Sequence, residues 1–222
     1  MTAEPPDHLR VLIVEDHLAL GDALRLAVDL QSGMECIGVA GTVADALALA
    51  ADSHPDGVLM DVRLPDGDGI GATARLKELW PAACVIVLTA GADVGTLLRA
   101  AEAGAAGFFP KESRMALILD GLRRAVAGEP VVAPSALQGL LAAARQQGPP
   151  EASHPGRELA PEERELLGLL AAGDDATAIA SRQGTTLEAC RARISTLTEG
   201  LDARSALEAL VVAARRGLLT TP

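Results

Sequence analysis

Short apolar runs alternate with amphipathic stretches over residues 9–128. Each run has four or five residues, and the stretches between them carry apolar residues at helical spacing, for example Leu20, Leu24 and Val28. The runs lie at residues 11–14, 36–39, 57–60, 84–88 and 106–109. Because short apolar runs that alternate with helices are typical of parallel strands buried on both faces, this pattern predicts an α/β domain of the (βα)5 type.

The character of the chain changes near Glu129. Prolines and glycines punctuate residues 129–156, which we interpret as a linker with a short helix at 135–147. Beyond the linker no strand-like run occurs, so residues 157–222 predict a small all-α domain. Its helical segments are expected at residues 161–172, 175–183, 186–200 and 203–216, with Pro161 in the opening turn of the first.

Composition limits the classes of function. Of the 222 residues 49% are hydrophobic and 22% charged, which is typical of a globular protein. Aromatic residues make up only 1%, which leaves no platform on which single-stranded nucleic acid could stack. The net charge of −11 argues against a protein whose whole surface binds nucleic acid or membranes. Three scattered cysteines, no signal peptide and no long apolar run predict a cytoplasmic protein.

Acidic residues follow two of the apolar runs directly. Glu15 and Asp16 come after the first run, and Asp61 comes after the third. Because the carboxyl ends of parallel strands meet at one edge of a sheet, we expect these carboxylates to lie close together. Each pair would repel by ~4 kcal/mol at 4 Å with an effective dielectric of 20. A hard divalent cation relieves this repulsion, and Mg²⁺ is the natural candidate.

A hydroxyl and an ammonium group are expected at the same edge. Thr89 directly follows the fourth run, and Lys111 comes just after the fifth. Lys111 is one of only two lysines in the chain, so its position at this edge is a specific signal. A carboxylate acceptor, cations that neutralise charge and a hydroxyl that binds an oxygen describe a site for a phosphoryl group.

Four segments carry a resemblance to a known family. They are residues 11–17 (VLIVEDH), 61–69 (DVRLPDGDG), 87–90 (VLTA) and 107–111 (GFFPK). In this order and spacing they resemble the receiver domain of bacterial two-component response regulators, which has a flavodoxin-like fold. The resemblance implies that Asp61 accepts a phosphoryl group from a sensor histidine kinase. Pro110 departs from the aliphatic residue that many relatives carry before the lysine.

The same resemblance implies a role for each further site residue. The implied Mg²⁺ ligands are Glu15, Asp16, Asp61 and the backbone carbonyl of Arg63. Thr89 and Lys111 are implied to contact the phosphoryl oxygens, and Phe108 to be the aromatic residue of the conformational switch.

The helical region carries a second resemblance. Residues 159–173 read LAPEERELLGLLAAG and residues 178–180 read AIA. They resemble the LuxR-type helix-turn-helix domain found at the C terminus of NarL/FixJ response regulators, which implies that residues 186–201 form the recognition helix. The resemblance further implies double-stranded promoter DNA as the partner and a homodimer as the active form. Candidate DNA contacts are Arg182, Thr185, Thr186, Arg191, Arg193 and Ser195.

The charge of the helical region keeps another interpretation open. Thr177, Glu199 and Gly200 stand where the family carries basic residues, and the chain from Leu159 onward contains seven arginines and nine acidic residues. Because counterion release supplies most non-specific affinity for DNA, a module with a net charge of −2 should bind weakly as a monomer, and dimerisation would matter more than usual. The alternative is a receiver whose helical module acts through protein or ligand contacts instead of DNA.

An enzyme that turns over an outside substrate is not expected. An aspartate-nucleophile phosphohydrolase would need a second acid/base aspartate two residues after the nucleophile, and Arg63 occupies that position. Phosphotransfer to the protein itself and slow autodephosphorylation remain. The leading hypothesis is therefore a transcriptional regulator in which phosphorylation of Asp61 biases a two-state receiver and promotes DNA binding.

Overall fold

A computed structural model of the chain describes residues 8–91, 93–148 and 159–219. Its strands are β1 (Leu9–Val14), β2 (Met34–Ala40), β3 (Gly57–Asp61), β4 (Arg63–Leu64), β5 (Gly67–Asp68), β6 (Cys84–Thr89) and β7 (Gly107–Pro110). Five of them form one sheet in the order β2-β1-β3-β6-β7, and the pairs β1–β2, β1–β3 and β3–β6 are parallel. β4 and β5 form a separate antiparallel hairpin directly after β3.

Helices connect the strands and continue after the sheet. Those interleaved with the strands are α1 (Leu18–Asp29), α2 (Val43–Ser53), α3 (Gly69–Leu79), α4 (Val94–Glu102) and α5 (Met115–Val126). The later ones are α6 (Pro134–Gln147), α7 (Pro161–Ala172), α8 (Ala176–Gln183), α9 (Leu187–Gly200) and α10 (Ala206–Arg215). The predicted fold class, a (βα)5 sheet followed by an all-α region, is confirmed.

Contacts divide the chain into two compact units. The first comprises the described part of Met1–Gly91 together with Phe108–Val126. In it α1 packs with α5 and α2 packs with α3, so these two helix pairs cover the two faces of the sheet. Val11, Leu59 and Ile86 at the centre of the sheet are fully buried. Burial on both faces explains why these strands are continuous apolar runs in the sequence.

The second unit comprises the described parts of Ala92–Gly107 and Ala127–Pro222. It contains α4, which chain order places among the receiver helices, and α4 packs against α6 and α10. Val131 forms a parallel bridge with Gly107. Seven of the ten residues of α10 are buried, which accounts for its apolar stripe. The helix α6 lies where the sequence indicated a short helix within the linker.

Polar side chains set the starts of the helices in the second unit. Asp175 accepts a hydrogen bond from the Ala178 amide at the start of α8, and Thr186 accepts one from the Ala189 amide at the start of α9. These contacts satisfy backbone donors that have no partner within the helix. The recognition-helix candidate therefore begins at Leu187, immediately after its capping threonine.

Candidate functional site

Four strands of the sheet end in polar residues at one edge. Glu15 follows β1, Asp61 is the last residue of β3, Thr89 is the last residue of β6, and Lys111 follows β7. The register pairs Asp61 with Leu88, so Thr89 lies one residue beyond the position opposite Asp61. The sheet topology thus brings together residues that are up to 96 positions apart in the chain.

The carboxylates of Glu15, Asp16 and Asp61 form one cluster. One oxygen from each lies within 4.8 Å of the others. Glu15 and Asp61 are buried, and Asp16 is exposed. A set of oxygen donors with one open side suits a hard divalent cation that keeps several waters, which is how Mg²⁺ binds to proteins. The residues present therefore fit the predicted metal.

The ammonium group of Lys111 joins two of these carboxylates. Its Nζ lies 2.7 Å from Oε2 of Glu15 and 2.7 Å from Oδ2 of Asp61. Burial by itself lowers the pKa of Lys111, but the hydrogen bonds to Asp61 and Glu15 outweigh burial and raise this pKa above its ordinary value. The amide of Lys111 donates to the carbonyl oxygen of Thr89 at 2.8 Å, which fixes the loop that carries the side chain. Lys111 is therefore a charged donor held at the acidic cluster.

The segment after Asp61 is fixed by its own backbone contacts. The Arg63 amide donates to Oδ1 of Asp61 at 3.2 Å, and the Gly69 amide donates to the Val62 carbonyl at 2.9 Å. A Cβ on Gly69 would lie 1.8 Å from the carbonyl oxygen of Asp61, so only glycine fits there. Arg63, whose backbone carbonyl is an implied metal ligand, lies in the short strand β4 within this segment. The side chain of Arg63 is exposed.

Asp66 connects this segment to a neighbouring helix. Its carboxylate accepts hydrogen bonds from the amides of Val43 (2.7 Å) and Ala44 (3.0 Å), which are the first residues of α2. These bonds lower the pKa of Asp66 below its ordinary value. The sequence does not predict this contact, because nothing local indicates a hydrogen bond to a helix more than 20 positions earlier.

The remaining two residues implied for the first unit, Thr89 and Phe108, are both buried. Thr89 is buried, and its Oγ1 accepts a hydrogen bond from the Gly91 amide at 3.2 Å. Phe108 lies in β7 with 6% of its surface exposed. The aromatic ring implied to switch is therefore packed inward in this conformation.

The candidate DNA contacts lie on α8 and α9 and on the turn between them. All three arginines among them have partners within their own unit. Arg191 binds Glu129, Arg193 binds Gln183 and the carbonyl of Glu162, and Arg182 pairs with Asp174. Thr186 caps α9, the Thr185 amide donates to the Ala180 carbonyl, and the Ser195 hydroxyl donates to Glu199.

The outward face of α9 carries no basic side chain that is fully exposed. Arg191 and Arg193 are half-buried at its flanks. The exposed residues of this helix are Glu188, Ala189, Ala192, Ser195, Thr196 and Glu199. The face is thus small and neutral in its centre and acidic at both ends. Glu129, which binds Arg191, is not singled out by the sequence, where it is only the first residue of the assigned linker.

Comparison with known proteins agrees with this geometry. The sequence model of the response regulator receiver domain matches residues 11–123. The chain is 30% identical to the transcriptional regulatory protein LiaR of Bacillus subtilis over 211 residues, which cover 95% of this chain and 99% of LiaR.

Solved structures agree as well. A LuxR-family two-component response regulator from Aurantimonas sp. SI85-9A1 matches 61% of this chain and 97% of its own, with 27% identity and a TM-score of 0.57. RcsB of Salmonella typhimurium shares the fold over 92% of this chain and 97% of its own, with 19% identity and a TM-score of 0.55.

These matches confirm the predicted resemblance. The chain belongs to the response regulators of two-component systems, and within them to the NarL/LuxR type. Within the described residues, no helix combines the length and the apolar character that crossing a membrane requires.

Proposed function

We propose that Asp61 accepts a phosphoryl group from the phosphohistidine of a sensor histidine kinase. The observation that carries this proposal is the ammonium group of Lys111 held 2.7 Å from Asp61, beside two further carboxylates. An anionic phosphoryl group needs cations on its oxygens while it transfers, and this edge of the sheet supplies one directly.

The transfer is a single displacement. A carboxylate oxygen of Asp61 forms the new O–P bond while the N–P bond to the donor histidine breaks, and the histidine nitrogen leaves with the bonding electron pair. Lys111 moves from the bare carboxylate to the phosphoryl oxygens, and the hydroxyl of Thr89 donates to another of these oxygens. A Mg²⁺ held by Glu15, Asp16, Asp61 and the carbonyl of Arg63 would supply further positive charge.

We further infer that the reaction is confined to the protein itself. We infer phosphotransfer to Asp61 and slow autodephosphorylation, without turnover of an outside substrate. Arg63, at the position where a phosphohydrolase would carry its second aspartate, supports this inference.

The phosphoacceptor assignment is tested by intact-mass measurement after incubation with acetyl phosphate and Mg²⁺. Asp61→Asn should abolish the mass increase, while Asp52→Asn, which removes an exposed carboxylate from α2, should leave it unchanged. Persistent labelling of the Asp61→Asn variant would reject the assignment.

We further propose that the helical module binds double-stranded promoter DNA as a homodimer and regulates transcription. Support comes from the similarity to LiaR over almost the whole chain and from the capped helix pair α8–α9. Arg182, Thr185, Thr186, Arg191, Arg193 and Ser195 are the proposed DNA contacts. We place this regulator in the cytoplasm, since its three cysteines are free thiols.

DNA binding is tested by selecting fragments of the source genome with the purified protein at two salt concentrations. Beryllofluoride, added in one arm, mimics the phosphoryl group. Enrichment of a two-fold symmetric site that strengthens with beryllofluoride is the expected result. No enrichment in either arm would reject the proposal.

One observation favours a second candidate function. The exposed centre of α9 consists of alanine, serine and threonine and is flanked by glutamates, so it offers no fully exposed cation to a DNA phosphate, and this lack favours a partner other than DNA. In this case the module would act through a protein or ligand partner after phosphorylation. Saturable, sequence-specific binding to a promoter fragment would reject this candidate.

A further inference from the structure

Arg191, a candidate DNA contact, is bound to a carboxylate of its own chain. Its Nε lies 3.1 Å and its Nη2 2.8 Å from Oε1 of Glu129. Both residues belong to the second unit, although they are 62 positions apart. The Glu129 side chain is 3% exposed, whereas Arg191 keeps 35% of its side chain exposed. The guanidinium therefore reaches from the flank of α9 to a buried acceptor.

The partners of the other two candidate arginines are of a different kind. Arg193 donates to an amide side chain and to a backbone carbonyl, which carry no net charge. Arg182 pairs with Asp174 but is 60% exposed, so water screens this pair. Water or a DNA phosphate can replace such partners with little loss of stabilisation for the arginine. Glu129, in contrast, is a buried carboxylate, so separating it from the guanidinium of Arg191 costs more than breaking an exposed ion pair.

We propose that Glu129 competes with DNA phosphate for Arg191 and thereby lowers the DNA affinity of this conformation. The inference rests on the proposed DNA-binding function. A guanidinium binds carboxylate and phosphate through the same planar set of N–H donors. Two of these donors point at Glu129, so Arg191 engages a phosphate or a base edge fully only after it has released Glu129.

The competition is tested with the full-length, unphosphorylated chain carrying Glu129→Gln. Glu165→Gln is the matched control, because it removes the same charge from an exposed position on α7. Binding is measured by salt-dependent elution from heparin, a polyanion, and by titration of the genomic fragments selected as above. Glu129→Gln should bind about tenfold more tightly than the control, with a salt slope steeper by about one.

A double variant distinguishes two causes of tighter binding by Glu129→Gln: the release of Arg191 and the less negative net charge of the protein. Arg191→Gln should bind more weakly than wild type, and the pair Glu129→Gln/Arg191→Gln should show no gain over Arg191→Gln alone. A gain that persists without Arg191 would overturn the proposal. Equal behaviour of Glu129→Gln and Glu165→Gln on heparin would overturn it as well. Glu129→Asp, which keeps the charge but shortens the reach, should show a smaller gain and covers the case in which Glu129→Gln fails to fold.

The two probes distinguish this proposal from the function on which it rests. Tighter heparin binding by Glu129→Gln without selection of any genomic site would support the competition and reject sequence-specific DNA binding. Selection of a site by the wild-type protein, with no gain in Glu129→Gln, would support the DNA-binding function and reject the competition.

Discussion

Gly69 lies against the backbone of Asp61, so close that a Cβ on Gly69 would be 1.8 Å from the Asp61 carbonyl oxygen. The first turn of α3 thus packs on the peptide group that carries the proposed phosphoacceptor. Because the obstacle is backbone, no side-chain rotation can relieve the contact. A larger residue must displace either the helix or Asp61.

The variant Gly69→Ala tests this relationship. We expect it to lower the free energy of unfolding by about 1–3 kcal/mol and to slow the labelling of Asp61 by acetyl phosphate severely. Gly71→Ala is the control in the same helix, because a Cβ there meets nothing within 4 Å. It should be neutral or stabilising by up to about 1 kcal/mol. Urea unfolding and intact-mass labelling measure the two effects, and normal labelling of Gly69→Ala would contradict the expectation.

Asp66 should make the start of α2 dependent on pH. Its pKa is lowered by hydrogen bonds from the amides of Val43 and Ala44. A pKa that is lower in the folded state means that the stabilisation is fully present above the unfolded value of about 4 and is lost as the pH falls through the folded value. Asp66→Asn should therefore speed hydrogen exchange at Val43 and Ala44 at neutral pH, and its difference from wild type should shrink in acid.

Asp52→Asn is the control for this experiment, since Asp52 is exposed elsewhere on α2. It should leave exchange at the two amides unchanged. Equal exchange in Asp66→Asn and wild type at neutral pH would mean that water replaces the carboxylate without loss of stability. The hydrogen bonds from Val43 and Ala44 to Asp66 would then contribute nothing to stability.

Lys111 should stabilise the protein until strongly alkaline pH. Its pKa is raised by Asp61 and Glu15, which outweigh burial, so its contribution is fully present below the unfolded value of about 10.4 and is lost as the pH rises through the folded value. Lys111→Met should lower the free energy of unfolding by about 1–3 kcal/mol at neutral pH, less than a fully buried pair because the lysine is 17% exposed.

Mg²⁺ offers a second measurement on the same residue. In Lys111→Met the carboxylates of Glu15 and Asp61 no longer have an ammonium partner, so bound Mg²⁺ should stabilise them more. Mg²⁺ should therefore raise the Tm of this variant more than that of wild type. Lys111→Arg keeps the charge and serves as the control. Thermal unfolding with and without Mg²⁺ measures the effect. An equal rise in Tm in all three proteins would contradict the expectation that Lys111 and Mg²⁺ contact the same carboxylates.

The sequence predicted the sheet and the strand-end residues for one physical reason. Carboxyl ends of parallel strands meet at one edge, so Glu15, Asp61 and Lys111 could be placed together from the order of the apolar runs alone. The contacts that fix them could not be predicted. The reach of Asp66 to α2 and the bond between Glu129 and Arg191 join residues 22 and 62 positions apart, and neither leaves a periodic signal.

The packing partners of α4 could not be predicted from the sequence either, for a related reason. Its amphipathic pattern predicts a buried face but does not say what covers that face. The structure places it against α6 and α10 in the second unit. Here Ser205, at the start of α10, donates from Oγ to the carbonyl of Ala105 at 2.8 Å and accepts from the Glu208 amide at 3.1 Å.

Ser205→Ala removes both contacts at once. Loss of a helix cap costs about 1 kcal/mol, and a buried carbonyl left without its donor adds about 1–3 kcal/mol. Thr186→Ala is the matched control, because it removes only the cap of α9 at an exposed position. Chemical unfolding should therefore show a larger loss for Ser205→Ala than for Thr186→Ala. Equal losses would mean that water replaces Ser205 at the Ala105 carbonyl, and the hydrogen bond that ties α10 to the segment after α4 would then contribute nothing to stability.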